Sequence, residues 1–146
     1  MDNPIYASQV IRFVETVKAS AVGAAAIPAH RVVGADIDGG ALLILQAESS
    51  DAAFTSLGVS LYSVPAAGDT SPAVGPRNVA VANSGLLIVE VSPEGAPAYG
   101  DSLFVDSEGR ARVFGILDTD TYAVTVNGST PTVRDVVGNY AVVSFS

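Results

Sequence analysis

A loop–strand–turn unit recurs along this 146-residue chain and strongly limits the folds open to it. Its clearest copy runs from Gly95 to Arg110. The loop from Gly95 to Asp101 holds two glycines and a proline, which permit positive φ or fix φ and so interrupt regular structure. A strand is predicted over Ser102 to Val105. The reversal Asp106-Ser-Glu-Gly109 follows it, with Gly109 expected in the left-handed conformation.

Two further copies of this unit precede the clearest one. Pro65-Ala-Ala-Gly-Asp69 repeats the pattern of Pro97-Ala-Tyr-Gly-Asp101, and Ala26 to Val33 is a more diverged copy in which His30 stands where Ala67 or Tyr99 stands elsewhere. Copies spaced by roughly 30 to 40 residues predict one β-unit reused around a single small core. The residues predicted to structure the loops, with each aspartate accepting backbone N–H groups, are Pro65, Gly68, Asp69, Pro97, Gly100 and Asp101.

The remaining pattern is also that of an all-β chain, a small β-barrel or β-sandwich of short strands. Apolar or alternating runs bounded by Gly, Pro, Asp, Asn or Ser predict the strands, and the most apolar run, Leu86 to Val91, is expected at the centre of the sheet. Val10 to Lys18 is read as a strand because five of its nine residues are Val, Ile or Thr. The other predicted strands are 31–35, 41–46, 56–64, 79–82, 103–105 and 111–117, and 66–78 is predicted to be a surface loop.

The predicted strands and loops divide the chain into three segments. Residues 1–23 form an extended N-terminal arm and strand, 24–117 the β-domain with the repeated loops, and 118–146 a C-terminal hairpin and strand packed on the same domain. Asn127-Gly128 predicts a two-residue hairpin turn between strands 121–126 and 130–133, and Pro131 places the second of these at an edge. The last strand, Tyr140 to Phe145, must be held in its own sheet or in a neighbour's.

Composition narrows the function classes. Charged residues are 15% of the chain, which fits either a surface largely covered by a partner or a compact domain with a Ser/Thr-rich surface. The net charge of −8 and the lack of a basic cluster argue against nucleic-acid binding. There are no cysteines for disulfides or thiolate sites, no apolar run long enough to span a membrane, and no secretory leader pattern at the start.

Residues able to support chemistry are scarce. His30 is the only histidine, it lies in a predicted loop, and no nucleophile, phosphate-loop or dinucleotide motif is present. Two acidic pairs, Asp36 with Asp38 and Asp118 with Asp120, are interpreted as turn residues rather than cation ligands. We therefore expect no enzyme activity, no cofactor and no metal. The candidate interface residues are Tyr6, Tyr62, Tyr99 and Tyr122.

The repeated residues resemble the capsid decoration, or cement, proteins of tailed bacteriophages. The resemblance covers about residues 24 to 115, although this family usually has Gly where His30 stands. The matching stretches are Leu57-Gly-Val-Ser60, Pro65 to Asp69, Gly85, Val89-Glu-Val91, Ala96 to Asp101, Asp106 and Gly109-Arg-Ala111, with Ala25 to Val33 upstream.

The resemblance implies a virion protein that binds the outside of the mature, expanded head and clamps neighbouring coat subunits. Its partner would be the major capsid protein, its assembly a homotrimer, and its location the capsid exterior after synthesis in the bacterial cytoplasm. Residues 1–18 and 118–146 are then expected to carry contacts between subunits. Two alternatives stay open: another self-associating virion component, such as a head-fibre base or tail module, and a carbohydrate-binding β-sandwich.

Overall fold

The fold is all-β, as predicted. The computed structural model describes residues 10–18, 26–35, 41–42, 56–64, 78–106, 108–113 and 121–146, and no helix occurs in these ranges. None of their segments is therefore a helix able to cross a membrane. The strands are β1 (Val10–Lys18), β2 (Val32–Ala35), β3 (Ala41–Leu42), β4 (Ser56–Ser60), β5 (Asn78–Glu90), β6 (Phe104–Val105), β7 (Ala111–Arg112), β8 (Tyr122–Ala123), β9 (Thr132–Val137) and β10 (Tyr140–Phe145).

The strands form one large curled sheet and one small sheet. The large sheet has the order β3-β2-β4-β5-β10-β9, with β1 also paired to β5, and the small sheet has the order β7-β6-β8. All pairings between these strands are antiparallel. Because β5 pairs with β1, β4 and β10, it is the centre of the large sheet, which confirms the position predicted for Leu86 to Val91.

The length of β5 corrects the prediction of two strands, 79–82 and 86–91. The structure has a single strand of 13 residues that continues through Asn83-Ser84-Gly85. Gly85 has φ of +116°, and a Cβ there would overlap the carbonyl oxygen of Val10 on β1. Glycine inside a strand marks such a close approach of another backbone, so these residues bend the strand here rather than end it.

The core lies between the two sheets. Side chains from β5 and β10 of the large sheet pack against side chains from the small sheet and the segments beside it, as in a small barrel or sandwich. The fully buried members are mostly valine and leucine, in keeping with a core of small branched residues on pleated strands. They include Val59, Leu87, Val89, Leu103, Val105, Ala111, Ala141 and Val143.

The Asn127-Gly128 turn is present, but it does not join the predicted hairpin. Asn127 and Gly128 have φ of 53° and 78°, and Val126 and Ser129 bond across them as a two-residue turn requires. The segments before and after the turn do not pair with each other beyond Val126 and Ser129. Instead, β8 pairs with β6 in the small sheet, and β9 pairs with β10 in the large one. The turn is therefore a corner between the two sheets.

The C-terminal strands take their places within this chain's own large sheet. β10 lies between β5 and β9, so the last strand is held along both of its edges. β9 ends the strand order of the large sheet, but the edge position that Pro131 predicted is wrong for the start of this strand. The Pro131 carbonyl accepts a hydrogen bond from the Leu103 amide, and the Val133 amide donates to the Asp101 carbonyl, so the side away from β10 is also bonded.

Candidate interaction surface

The loop before β6 is braced by its aspartate, as predicted. Asp101 accepts a hydrogen bond from the Ala98 amide at its carboxylate (2.9 Å). Gly100 has φ of +87°, and its amide donates to the carbonyl of Val133 (2.8 Å), which ties the loop to β9. Tyr99 is left at the tip with 73% of its surface exposed. The matching loop with Pro65, Gly68 and Asp69 lies outside the described residues.

The reversal after β6 is held by a buried carboxylate. Asp106 accepts hydrogen bonds from the amides of Glu108 and Arg110, both at 2.9 Å, and pairs with the Arg110 guanidinium at 2.8 Å. Gly109 has φ of +76°, as predicted, and its carbonyl accepts a hydrogen bond from the amide of Val32 (2.9 Å). The turn is thus fixed to β2.

Two nearly buried arginines, Arg31 and Arg112, also form ion pairs with carboxylates. Arg31 pairs with Glu90 at 2.8 Å and donates to the carbonyl of Glu108 at 3.2 Å. Arg112, only 1% exposed, pairs with Glu94 at 2.8 Å. Buried arginines need such partners, so these charges serve the fold. Sequence reasoning did not identify them, and the only local signal was Glu90 inside an apolar strand.

His30 is a structural residue at the start of β2. Its backbone amide donates to Ser60 (2.7 Å), its carbonyl accepts from Glu90 (2.9 Å), and its ring meets Tyr140 edge-on with centroids 5.8 Å apart. The sequence comparison placed His30 at the position of Tyr99 in the later loop, and this was wrong. His30 has φ of +64°, and in the later loop the residue with left-handed φ is Gly100, not Tyr99.

Burial of His30 makes the stability of the folded protein depend on pH. Desolvation lowers the pKa of His30 below 6.5, although Glu90 and the Ile88 backbone act in the opposite direction. The unfolded chain therefore takes up a proton first as pH falls, so this contribution is complete above pH 6.5 and is lost below it.

We expect His30→Asn to remove this pH dependence, since asparagine tolerates positive φ. Urea unfolding from pH 8 to pH 5 measures it. The wild-type free energy of unfolding should fall more steeply below pH 6.5 than that of the variant. Parallel curves, or a wild-type protein that gains stability on acidification relative to the variant, would contradict this account.

β1 carries a cluster of four exposed apolar side chains. Phe13 and Val10 are 54% and 52% exposed, and Ile11 and Val14 are also exposed. Residues 10 to 16 are exposed without alternation, so no described residue covers either face of this part of the strand. Exposed apolar clusters of this kind mark interaction sites in proteins.

One edge of β1 is also unpaired. The strand pairs with β5 from Lys18 opposite Asn78 to Val10 opposite Leu86, and with no other strand in the described part of the chain. An unpaired edge presents backbone N–H and C=O groups to any extended partner. β1 therefore combines exposed apolar side chains with an edge that no other described strand occupies.

The tyrosines predicted at an interface fall into three groups. Tyr62 and Tyr99 are 70% and 73% exposed, whereas Tyr122 on β8 is half-buried and packs against the core. Tyr6 lies outside the described residues. Phe13 was missed, although its signal was present: the apolar residues of this strand fit no single period, as expected when both faces carry them.

The described residues hold no cluster of side chains able to ligate a metal ion. None of their histidines, aspartates and glutamates form a group of three or more that would hold a metal ion, and the pairs Asp36/Asp38 and Asp118/Asp120 lie outside these ranges. No protein-family model matches the chain, and no curated protein matches its sequence.

Proposed function

We propose that this protein is a capsid decoration protein that binds the outside of a mature phage head and stabilises contacts between subunits of the major capsid protein. The observation that carries the proposal is β1, a strand that exposes Val10, Ile11, Phe13 and Val14 together with a free edge. A side chain such as Phe13 is stabilised by about 1.5–3 kcal/mol when a partner buries it. The resemblance of the repeated loops to those of decoration proteins points to the major capsid protein as that partner.

Decoration needs a rigid body that offers a docking face. The braced loop at Asp101, the fixed reversal at Gly109 and the buried pairs of Arg31 and Arg112 give such a body. Its net charge of −8 suits the outer side of a head rather than the side facing DNA.

Stabilisation follows from mass action. A protein that binds the assembled lattice and not the dissociated coat shifts the equilibrium towards the lattice. A homotrimer would join two or three coat subunits. Many such copies on one shell raise the barrier to its rupture under internal pressure.

A second candidate function, a self-associating virion component, is favoured by the free edge of β1, which is equally suited to a copy of the same chain. Light scattering on the free protein separates the two. A long-lived large oligomer that ignores coat shells would indicate a fibre or tail component.

Sedimentation with purified coat shells tests the proposed function. The protein should pellet with the shells at a fixed ratio to the coat subunits and stay in solution without them. A protein that remains in the supernatant with every shell preparation is not a decoration protein.

A further inference from the structure

The arginines of the described ranges fall into two classes. Arg31, Arg110 and Arg112 each pair with a carboxylate at 2.8 Å. Arg12 on β1 and Arg134 on β9 form no ion pair with any carboxylate in the described part of the chain. In a chain of net charge −8, two arginines without an ion pair among the described residues leave positive charge available to another molecule.

Both unpaired arginines occupy β-bulges. In the pairing of β1 with β5, Ile11 lies opposite Gly85 and Phe13 opposite Ser84, so Arg12 is the extra residue.

In the pairing of β9 with β10, Asp135 lies opposite Val142 and Val133 opposite Val143, so Arg134 is the extra residue. A bulge redirects a side chain relative to its neighbours, and bulges are enriched next to functional sites.

The two bulges direct their arginines to the same place. Arg12 and Arg134 line an open groove of about 440 Å³, which Gly85, Leu86, Ser144 and Phe145 complete. Four strands (β1, β5, β9 and β10) therefore contribute to it. The groove offers two guanidinium groups, a hydroxyl and the apolar side chain of Leu86, and it adjoins the exposed apolar residues of β1. Phe145 also lines it, but its side chain is buried in the core.

The nearest acidic neighbour in sequence does not neutralise Arg134. Asp135 accepts a hydrogen bond from the Val136 amide at 2.9 Å and forms no ion pair with the described arginines. No described carboxylate therefore neutralises the two arginines of the groove.

We propose that this groove binds an extended, carboxylate-bearing segment of a partner protein, with acidic side chains on Arg12 and Arg134 and an apolar side chain between them on Leu86. Guanidinium groups bind carboxylates through paired hydrogen bonds, which fixes the orientation of the segment. A nucleic acid is disfavoured, because the net charge of −8 repels a polyanion beyond these two contacts. The inference goes beyond the proposed function, since it holds whether the partner is a coat subunit or another protein.

A peptide titration of the full chain tests it. The probe is an acetylated, amidated nonapeptide in which glutamate alternates with leucine and phenylalanine, and the matched probe has glutamine in place of each glutamate. Amide resonances of Gly85, Leu86, Ser144 and Phe145 should shift with the glutamate peptide, and the glutamine peptide should bind at least tenfold more weakly. Raising the salt concentration should weaken the binding.

Variants assign the binding to the two arginines. The double variant Arg12→Gln/Arg134→Gln should lower the affinity at least tenfold, while Arg12→Lys/Arg134→Lys keeps the charge and retains part of the affinity. Thr125→Asp/Asn127→Asp is the control, because it makes the net charge more negative by the same two units at exposed positions away from the groove.

Three results would overturn the proposal: no binding of the glutamate peptide at millimolar concentration, equal binding of the two peptides, or unchanged affinity in the double glutamine variant. A single-stranded thymidine oligonucleotide is the other arm of the test. If the oligonucleotide shifts the groove resonances and the peptide does not, the groove recognises a phosphate polymer instead. Because no coat shell is used, these outcomes are independent of the sedimentation assay.

Discussion

Changing Phe13 to aspartate is expected to weaken binding to coat shells at least about a hundredfold without unfolding the protein. Phe13 is more than half exposed on a strand whose two faces are open, so it contributes little to the core. Losing a buried phenylalanine at an interface removes about 1.5–3 kcal/mol, and an unpaired carboxylate placed there adds a desolvation penalty. A total of about 3 kcal/mol corresponds to a factor of roughly a hundred in affinity.

Sedimentation over a range of protein concentrations gives the apparent Kd of the variant and of the wild type. Thr125→Asp is the matched control, because it adds the same charge at an exposed position outside β1. Circular dichroism and thermal unfolding should show both variants folded. Equal affinity of Phe13→Asp and the wild type would mean that β1 is not the docking strand.

Gly109→Ala is expected to lower the free energy of unfolding by about 3 kcal/mol. Left-handed φ costs a non-glycine residue about 1 kcal/mol. In addition, a Cβ at Gly109 would overlap the carbonyl oxygen of Val32 and lie 2.9 Å from its nitrogen. Val32 is fully buried and bonded to Gly109 itself, so the backbone must shift, at a further cost of about 1–3 kcal/mol.

The chain contains a control for the backbone conformation alone. Gly100 has φ of +87°, and a Cβ there meets no atom within 4 Å. Gly100→Ala should therefore lose only the conformational part, about 1 kcal/mol. Urea unfolding of both variants measures the difference, and equal losses would show that the contact between Gly109 and Val32 is not tight.

Turns were the part of the fold that sequence predicted best, because turn chemistry is local. Gly109, Asp101 and Asn127-Gly128 adopt the conformations or hydrogen bonds expected of them. Which strands a turn connects is not local. The strands on either side of Asn127-Gly128 enter different sheets, since β8 pairs back to β6 and β9 pairs forward to β10.

Glycine and asparagine inside a strand were misleading for a similar reason. Asn83-Ser84-Gly85 has the composition of a turn, yet β5 passes through it because β1 and β10 both pair there. His30 shows the converse case, in which a side chain with a strained φ is held by Ser60, Glu90 and Tyr140. Both outcomes depend on tertiary contacts that a sequence pattern does not contain.

The candidate surface was predicted only in part. Tyr62 and Tyr99 are exposed aromatic residues, as an interface requires, but Tyr122 packs on the core. The apolar exposure of β1 and the groove between Arg12 and Arg134 depend on which strands pair and where they bulge. The sequence does not distinguish an arginine that forms an ion pair inside the fold from one that forms none with the described residues.

The measurement that tests the central claim most directly is quantitative sedimentation of the purified protein with coat shells before and after expansion. Decoration of the mature head predicts saturable binding to expanded shells at a fixed number of copies per coat subunit, and no binding to unexpanded ones. Equal binding to both forms, or binding to neither, would contradict the claim that this chain stabilises a mature phage head.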